Sequence, residues 1–265
     1  MKKLNIAIIG LGNIGSYLYK YLNQNKKIIS KKNNCIPNIT YISAKNKNRK
    51  RNFKINKKIW LNNYLGATKN KNVDLIVELI GGAEGPAKKL VFEALKNKKH
   101  VVTANKALIA KYGDQLSKIA EKNKVNLEFE ASVCGGVPII RSIKEGLIAN
   151  KINKVFGIFN GTSNYILSSM DKENKSFNEV LKNAQTLGYA ESNPKSDLNG
   201  DDVASKLKIL SSLCFNSFLN KNIHVEGIKD IDKDDINYAK RLGYKIKLLG
   251  YAEPVSYTHL TLPTT

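Results

Sequence analysis

Blocks of apolar residues recur along the first half of the chain, some as continuous runs of strand length and others at helical spacing. Residues 4–9, LNIAII, form an apolar run of strand length. GLGNIG follows, and then SYLYKYL, where Ile14, Leu18 and Leu22 fall at helical spacing. NITYISA (38–44) reads as a second strand. VDLIVELI (73–80) is apolar almost throughout, as expected of a parallel strand covered on both faces. PAKKLVFEALKN opens with proline at a first helical turn and reads as a helix. HVVTA is a short strand, KALIAKYGDQLSKIAEKN a helix and VNLEFEA another strand. Strands alternating with helices predict an α/β domain with a doubly wound parallel sheet over residues 1–130.

The pattern changes after that. INKVFGIFN reads as a strand, and GTSNYILSSM, SFNEVLKNAQTLG and DDVASKLKILSSLCF as successive helices. INYAKRLG adds a short helix and YKIKLLGYA a strand, which predicts a second, α+β domain over residues 131–254. Residues 45–58 are a low-complexity lysine–asparagine patch and read as a mobile loop. The last residues, 255–265 (VSYTHLTLPTT), lack that bias and hold four threonines. They read as a foreign tail joined to a truncated coding region and are set apart from the fold.

Composition narrows the class. At 265 residues and 42% apolar content, the chain can bury a sizeable core. No stretch approaches the ~20 unbroken apolar residues that span a bilayer, and the N-terminal run ends at Gly10, too soon for a signal peptide. A cytoplasmic location and no membrane partner are expected. Cys35, Cys134 and Cys214 form neither a disulfide framework nor a CxxC clamp, and the histidines lack zinc spacing. Cys134 has no nearby histidine to activate it as a nucleophile.

The formal net charge of +22 raises nucleic acid as a partner. Arginine occurs only at Arg49, Arg51, Arg141 and Arg241, however; the rest of the excess is lysine, mixed with asparagine. Nucleic-acid readers favour arginine forks and aromatic stacking. The charge therefore reads as solvated surface and no nucleic-acid partner is expected; a basic nucleic-acid-binding protein is the alternative from another class.

Gly10, Gly12 and Gly15 form GxGxxG between a strand and a helix, the dinucleotide fingerprint of a Rossmann-type sheet. The first glycine permits the tight turn, the second lets the backbone approach a pyrophosphate, and the third lets helix pack on strand. Cofactor contacts are thus expected along Gly10, Leu11, Gly12, Asn13, Ile14 and Gly15. The second strand ends YISAKNKNRK, without the acid that holds the ribose hydroxyls of NAD. Lys45, Lys47 and Arg49 can meet a 2′-phosphate instead, which favours NADP and leaves NAD possible. VTANKALIA follows the fourth strand, where loops face the ligand crevice, so Thr103, Asn105 and Lys106 are expected near the nicotinamide.

In DLNGDDVASKLKIL, Asp202 and Lys206 are four apart and share a helical face. Taken alone, this is better explained as a solvated helix start, where aspartates are favoured anyway. VELIGG, HVVTANKALIA, FEASVCGGVPII, GIFNGTSNYIL, LGYAESNP and DLNGDDVASKLKIL occur in that order, and together they resemble homoserine dehydrogenase over residues 4–252. The resemblance implies an oxidoreductase that interconverts L-homoserine and L-aspartate 4-semialdehyde, a small-molecule step on the route to threonine, methionine and isoleucine. It implies Lys206 as proton donor/acceptor, with Lys106 close to the reacting centre. Glu191, Asp197, Asp202 and Thr162 are implied as substrate contacts. It also implies that Glu130, Val133, Gly135 and Val137 can hold a monovalent cation such as Na+, and that a full-length chain is a homodimer. Another Rossmann oxidoreductase, acting on a related semialdehyde, is the alternative within the class. Two positions depart from the family pattern: Asn193 stands where aspartate is frequent, and Lys45 where arginine is.

Overall fold

A computed structural model describes residues 1–51, 53, 55–216 and 223–254; the tail expected at 255–265 lies outside the described residues. The chain divides into two units, Met1–Ile140 and Arg141–Thr265.

The first unit contains β1 (Lys2–Ile9), α1 (Asn13–Gln24), α2 (Lys26–Asn33), β2 (Cys35–Ser43), α3 (Gly66–Lys69), β3 (Leu75–Glu78), α4 (Pro86–Lys96), β4 (His100–Thr103), α5 (Lys106–Asn123) and β5 (Leu127–Glu128). The strands form one sheet in the order β2-β1-β3-β4-β5, every pair parallel. The order reverses between β1 and β3, the switch point where α/β sheets of this kind bind ligands beyond their carboxyl ends. Ile6, Ala7, Ile8 and Ile9 are all buried, which explains why β1 lacks polar alternation. Ile6 and Ile8 cluster with Leu11, Tyr19, Ile42 and Val77.

The α/β reading holds, with local differences. On α1 the core-facing residues are Gly15, Leu18, Tyr19 and Leu22, whereas Ile14 is 63% exposed. The spacing of 14, 18 and 22 therefore misplaced one end of the stripe. α2 has no apolar periodicity and escapes sequence reading; it packs on β2. The 45–58 patch is more anchored than a bare loop. Phe53 stacks on Tyr19 with centroids 5.0 Å apart, and Ile55 packs on the same core. Trp60, just beyond, bridges to Ile42.

The helical turn α6 (Ile139–Arg141) spans the division between the units and runs into a π-turn, Ser142–Gly146. The second unit then contains β6 (Val155–Gly157), α7 (Gly161–Glu173), α8 (Phe177–Thr186), α9 (Lys195–Leu198), α10 (Asp201–Cys214), α11 (Lys233–Arg241) and β7 (Gly250–Ala252). β6 and β7 pair antiparallel. The strands expected over 152–160 and 244–252 thus shrink to three residues each. The helices surround a core that includes Ile166, Leu167, Met170, Val180, Ala184, Leu198 and Ile236. Gly250 is required by the packing: a Cβ there would lie 2.6 Å from the Phe159 ring.

Candidate active site

In the first unit, the glycine fingerprint has the geometry its spacing implies. Gly10 has φ +106°, and a Cβ on it would lie 2.3 Å from the Leu79 carbonyl oxygen. A Cβ on Gly15 would lie 1.9 Å from the Gly10 carbonyl oxygen, so only glycine lets α1 start this close to the turn. Gly12 differs, since a Cβ there meets nothing within 4 Å. It caps α1 without a side-chain bond, and no acid occupies the first turn. A helix start leaves its first N–H groups unpaired within the helix and carries partial positive charge. An open, side-chain-free helix N-terminus at the sheet's switch point fits a dinucleotide's phosphates. Asn13 and Ile14 are exposed there, and the Leu11 side chain is buried in the core.

β2 ends at Ser43 and Lys45 is exposed just beyond it. Arg51 is the residue that sequence reasoning missed here. Its Nε donates to the Leu11 carbonyl at 3.4 Å and its terminal nitrogens to the Asn46 and Arg49 carbonyls at 2.9 Å. Partial burial and the neighbouring Arg49 lower its pKa. The guanidinium thus curls residues 46–51 against the glycine turn. Nothing in the sequence separates it from the other cations of that patch, because its partners are backbone carbonyls.

Thr103, the last residue of β4, and Asn105 just beyond it are buried, and Lys106 is the first residue of α5, partly buried. The Asn105 side chain caps α5 by accepting from the Leu108 N–H at 3.1 Å. Nearby, Glu84 accepts from Lys88 (3.1 Å), Lys111 (2.7 Å) and the Tyr112 hydroxyl. Those hydrogen bonds, Lys111 first, hold its pKa down at about 2.

The turn after β5 carries the candidate cation ligands. One Glu130 oxygen accepts from the Ile140 N–H at 3.0 Å. The Val137 N–H donates to the Cys134 carbonyl at 2.8 Å, with Cys134 (φ 49°) and Gly136 (φ 92°) both left-handed. Val133 is buried, while Gly135 and Val137 are exposed. Among the described residues, no group of three His, Cys, Asp or Glu could hold a metal ion.

In the second unit, the Lys206 amine lies 2.8 Å from Asp202 Oδ2 and donates to the Phe159 carbonyl at 2.6 Å. The lysine side chain is 18% exposed and the aspartate 5%. Asp202 is in the first turn of α10, whose N-terminal dipole favours a carboxylate. Asn160 joins the cluster unforeseen. Its amide nitrogen donates to Asp197 Oδ1 at 2.7 Å and to Asp202 Oδ2 at 2.9 Å, while its oxygen caps α7 from the Ser163 N–H. GIFNGTSNYIL does contain a readable signal, an asparagine at a helix N-cap, but that position shows only the capping half of its task.

Lys206, Asp202, Asp197 and Asn160 are therefore brought together. The Thr162 hydroxyl donates to the Tyr189 carbonyl at 2.8 Å, so its donor is used internally and its oxygen lone pairs remain. Glu191 is exposed, and its backbone carbonyl accepts from Gln185 at 3.2 Å. An ammonium has three donors, and two of those on Lys206 are placed by Asp202 and Phe159. Among the described residues, no helix is long and apolar enough to cross a membrane.

Comparison with known proteins identifies the family. A family model described as homoserine dehydrogenase, NAD binding domain, matches residues 10–130, and one described as homoserine dehydrogenase matches residues 138–263. The chain is 42% identical over 251 residues to the homoserine dehydrogenase of Neisseria gonorrhoeae, covering 94% of this chain and 57% of the relative. With that of Bacillus subtilis it is 40% identical over 254 residues, covering 96% and 58%. The crystal structure of a homoserine dehydrogenase from Thiobacillus denitrificans superposes with a TM-score of 0.89 at 40% identity, covering 97% of this chain and 59% of that one. The chain thus spans somewhat under three fifths of the length of the two curated relatives. Two family models of the same enzyme family, and this identity over nearly the whole chain, place it: the chain belongs to the homoserine dehydrogenase family.

Proposed function

We propose that this chain carries the catalytic machinery of a homoserine dehydrogenase, which interconverts L-homoserine and L-aspartate 4-semialdehyde with a nicotinamide cofactor. The observation that carries the reading is the Lys206 amine, poised between a buried Asp202 at 2.8 Å and a backbone carbonyl at 2.6 Å with one donor direction unspent.

The residues that would hold the cofactor are the Gly10–Gly15 turn, Thr103 and Lys106; when bound, the nicotinamide supplies or accepts the hydride. The protein must move one proton at the substrate's terminal oxygen. In reduction Lys206 donates it as the carbonyl oxygen gains charge, and in oxidation it takes the hydroxyl proton. Lys106 is the second lysine assigned to this chemistry, a cation able to stabilise negative charge that develops on the substrate. Asp202 and the Phe159 carbonyl fix the amine's direction, and Asn160 fixes Asp202. Asp197 and Glu191 suit the substrate's ammonium group, and the Thr162 oxygen can accept from it.

NADP is the preferred nucleotide in this reading, supported by Lys45 beyond β2 and the lack of an acid there. A monovalent cation such as Na+ at Glu130, Val133, Gly135 and Val137 is supported by the tight turn and its hard oxygen donors. The partner is a small molecule, the location cytoplasmic, and the full-length protein a homodimer.

The test is homoserine-dependent NADP reduction, measured on this chain and on one continued to the relatives' length. Lys206→Ala should lower the rate ~10²–10⁴-fold. Retention of more than about a tenth of the rate would remove Lys206 from the proton-transfer step.

A further inference from the structure

Glu78 ends β3 with no exposed surface. One of its carboxylate oxygens accepts the Ile80 N–H at 2.7 Å and the Gly81 N–H at 3.0 Å. The other accepts the Thr103 hydroxyl at 2.5 Å. The Thr103 oxygen accepts the Asn105 N–H at 3.0 Å, and the Asn105 amide donates to the Gly82 carbonyl at 2.7 Å. The bonds form a closed circuit from β3 through the glycine turn to the start of α5 and back through β4.

An acid in a sheet interior is costly to bury. The bonds that satisfy this one come from neutral N–H and O–H groups. Sheet pairing does not require it, since Glu78 and Thr103 are already register partners through their backbones. Gly81 (φ 87°) and Gly82 (φ 82°) have no side chains to fix their turn, so an external anchor has something to do there. The circuit sits at the carboxyl ends of two central strands beside the switch point, and its last member caps the helix that begins with Lys106.

We propose that Glu78 is a positioning residue: its carboxylate clamps the Ile80–Gly82 turn and the start of α5 into one cradle for the nicotinamide end of the cofactor. This rests on the nucleotide-binding reading above. A clamp of this kind acts through Thr103 and Asn105, and leaves the glycine turn at Gly10–Gly15 alone.

The test uses the whole chain, with NADPH affinity followed by fluorescence and backbone protection by amide hydrogen exchange. Glu78→Gln keeps the shape and removes the charge. It should weaken NADPH about tenfold, the usual effect of losing a charge-assisted bond. Amides in 79–84 and 103–108 should exchange faster while those of β1 stay protected. Thr103→Val should do the same, Thr103→Ser should recover most of the loss, and the double variant Glu78→Gln/Thr103→Val should be little worse than either single one. Unchanged exchange at 103–108 in Glu78→Gln would overturn the clamp, as would loss of protection across the whole first unit. Should Glu78→Gln fail to fold, the Thr103 pair decides alone. Wild-type chain that ignores NADPH would sink the nucleotide reading itself, and the exchange pattern would still judge the circuit.

Discussion

Two lysines show how environment assigns a task to one residue type. Lys206 is mostly covered and held by a buried carboxylate, so the fold itself sets its direction. Removing it leaves Asp202 with one fewer donor in the interior, a change that typically costs several kcal/mol in such pairs. Activity of Lys206→Ala must therefore be scaled to the folded fraction. Lys45 is exposed beyond β2 and contributes a screened point charge. Replacing Lys45 and Lys47 together with alanine should raise the KM for NADP several-fold and leave that for NAD nearly alone. An equal effect on both nucleotides would show that these cations do not read the 2′-phosphate.

At the scale of the element, α1 separates two uses of glycine. Gly15 is there for packing: a methyl group would collide with the Gly10 carbonyl at 1.9 Å. Gly12 faces open space. Gly15→Ala should therefore destabilise the first unit by about 2–3 kcal/mol or more, visible as a lowered Tm. Gly12→Ala should fold with a near-normal Tm and, in the proposed cofactor site, bind NADPH at least about tenfold more weakly, because its methyl group would stand where the fingerprint brings phosphate close. Equal nucleotide affinity in Gly12→Ala and wild type would remove the open helix start from the cofactor site.

For the whole molecule, the second unit carries an exposed apolar face among the described residues. Phe156 and Tyr251 are cross-strand partners on β6 and β7, 69% and 52% exposed. Ile158 and Leu249 continue the patch at 52% and 59%. Patches of this kind mark interfaces. They support the proposed homodimer of the longer protein. Light scattering on a chain continued to the relatives' length should give a dimer, and Phe156→Asp should shift it to monomer. A monomer before the substitution would refute the assembly.

Much of this was legible in order along the chain. Continuous apolar runs of strand length alternating with period-3.6 blocks announce a parallel α/β sheet, because a strand covered on both faces is apolar throughout and the face a helix buries is written into its spacing. The glycine fingerprint announces its turn for the same local reason, and DDVASK brings Asp202 and Lys206 together within one helical turn. Contacts between distant segments were not legible. Asn160 reaches Asp197 and Asp202 from 37 and 42 residues away, Arg51 reaches Leu11 across 40, and Glu78 reaches Thr103 across 25. Those pairings depend on which strands lie side by side and how helices stack, and folding chooses them by burying the core as a whole. Sequence alone determined which residue types could do chemistry here; only tertiary packing decided which buried polar groups meet, because an unpaired polar group takes its partner from whatever the core brings near.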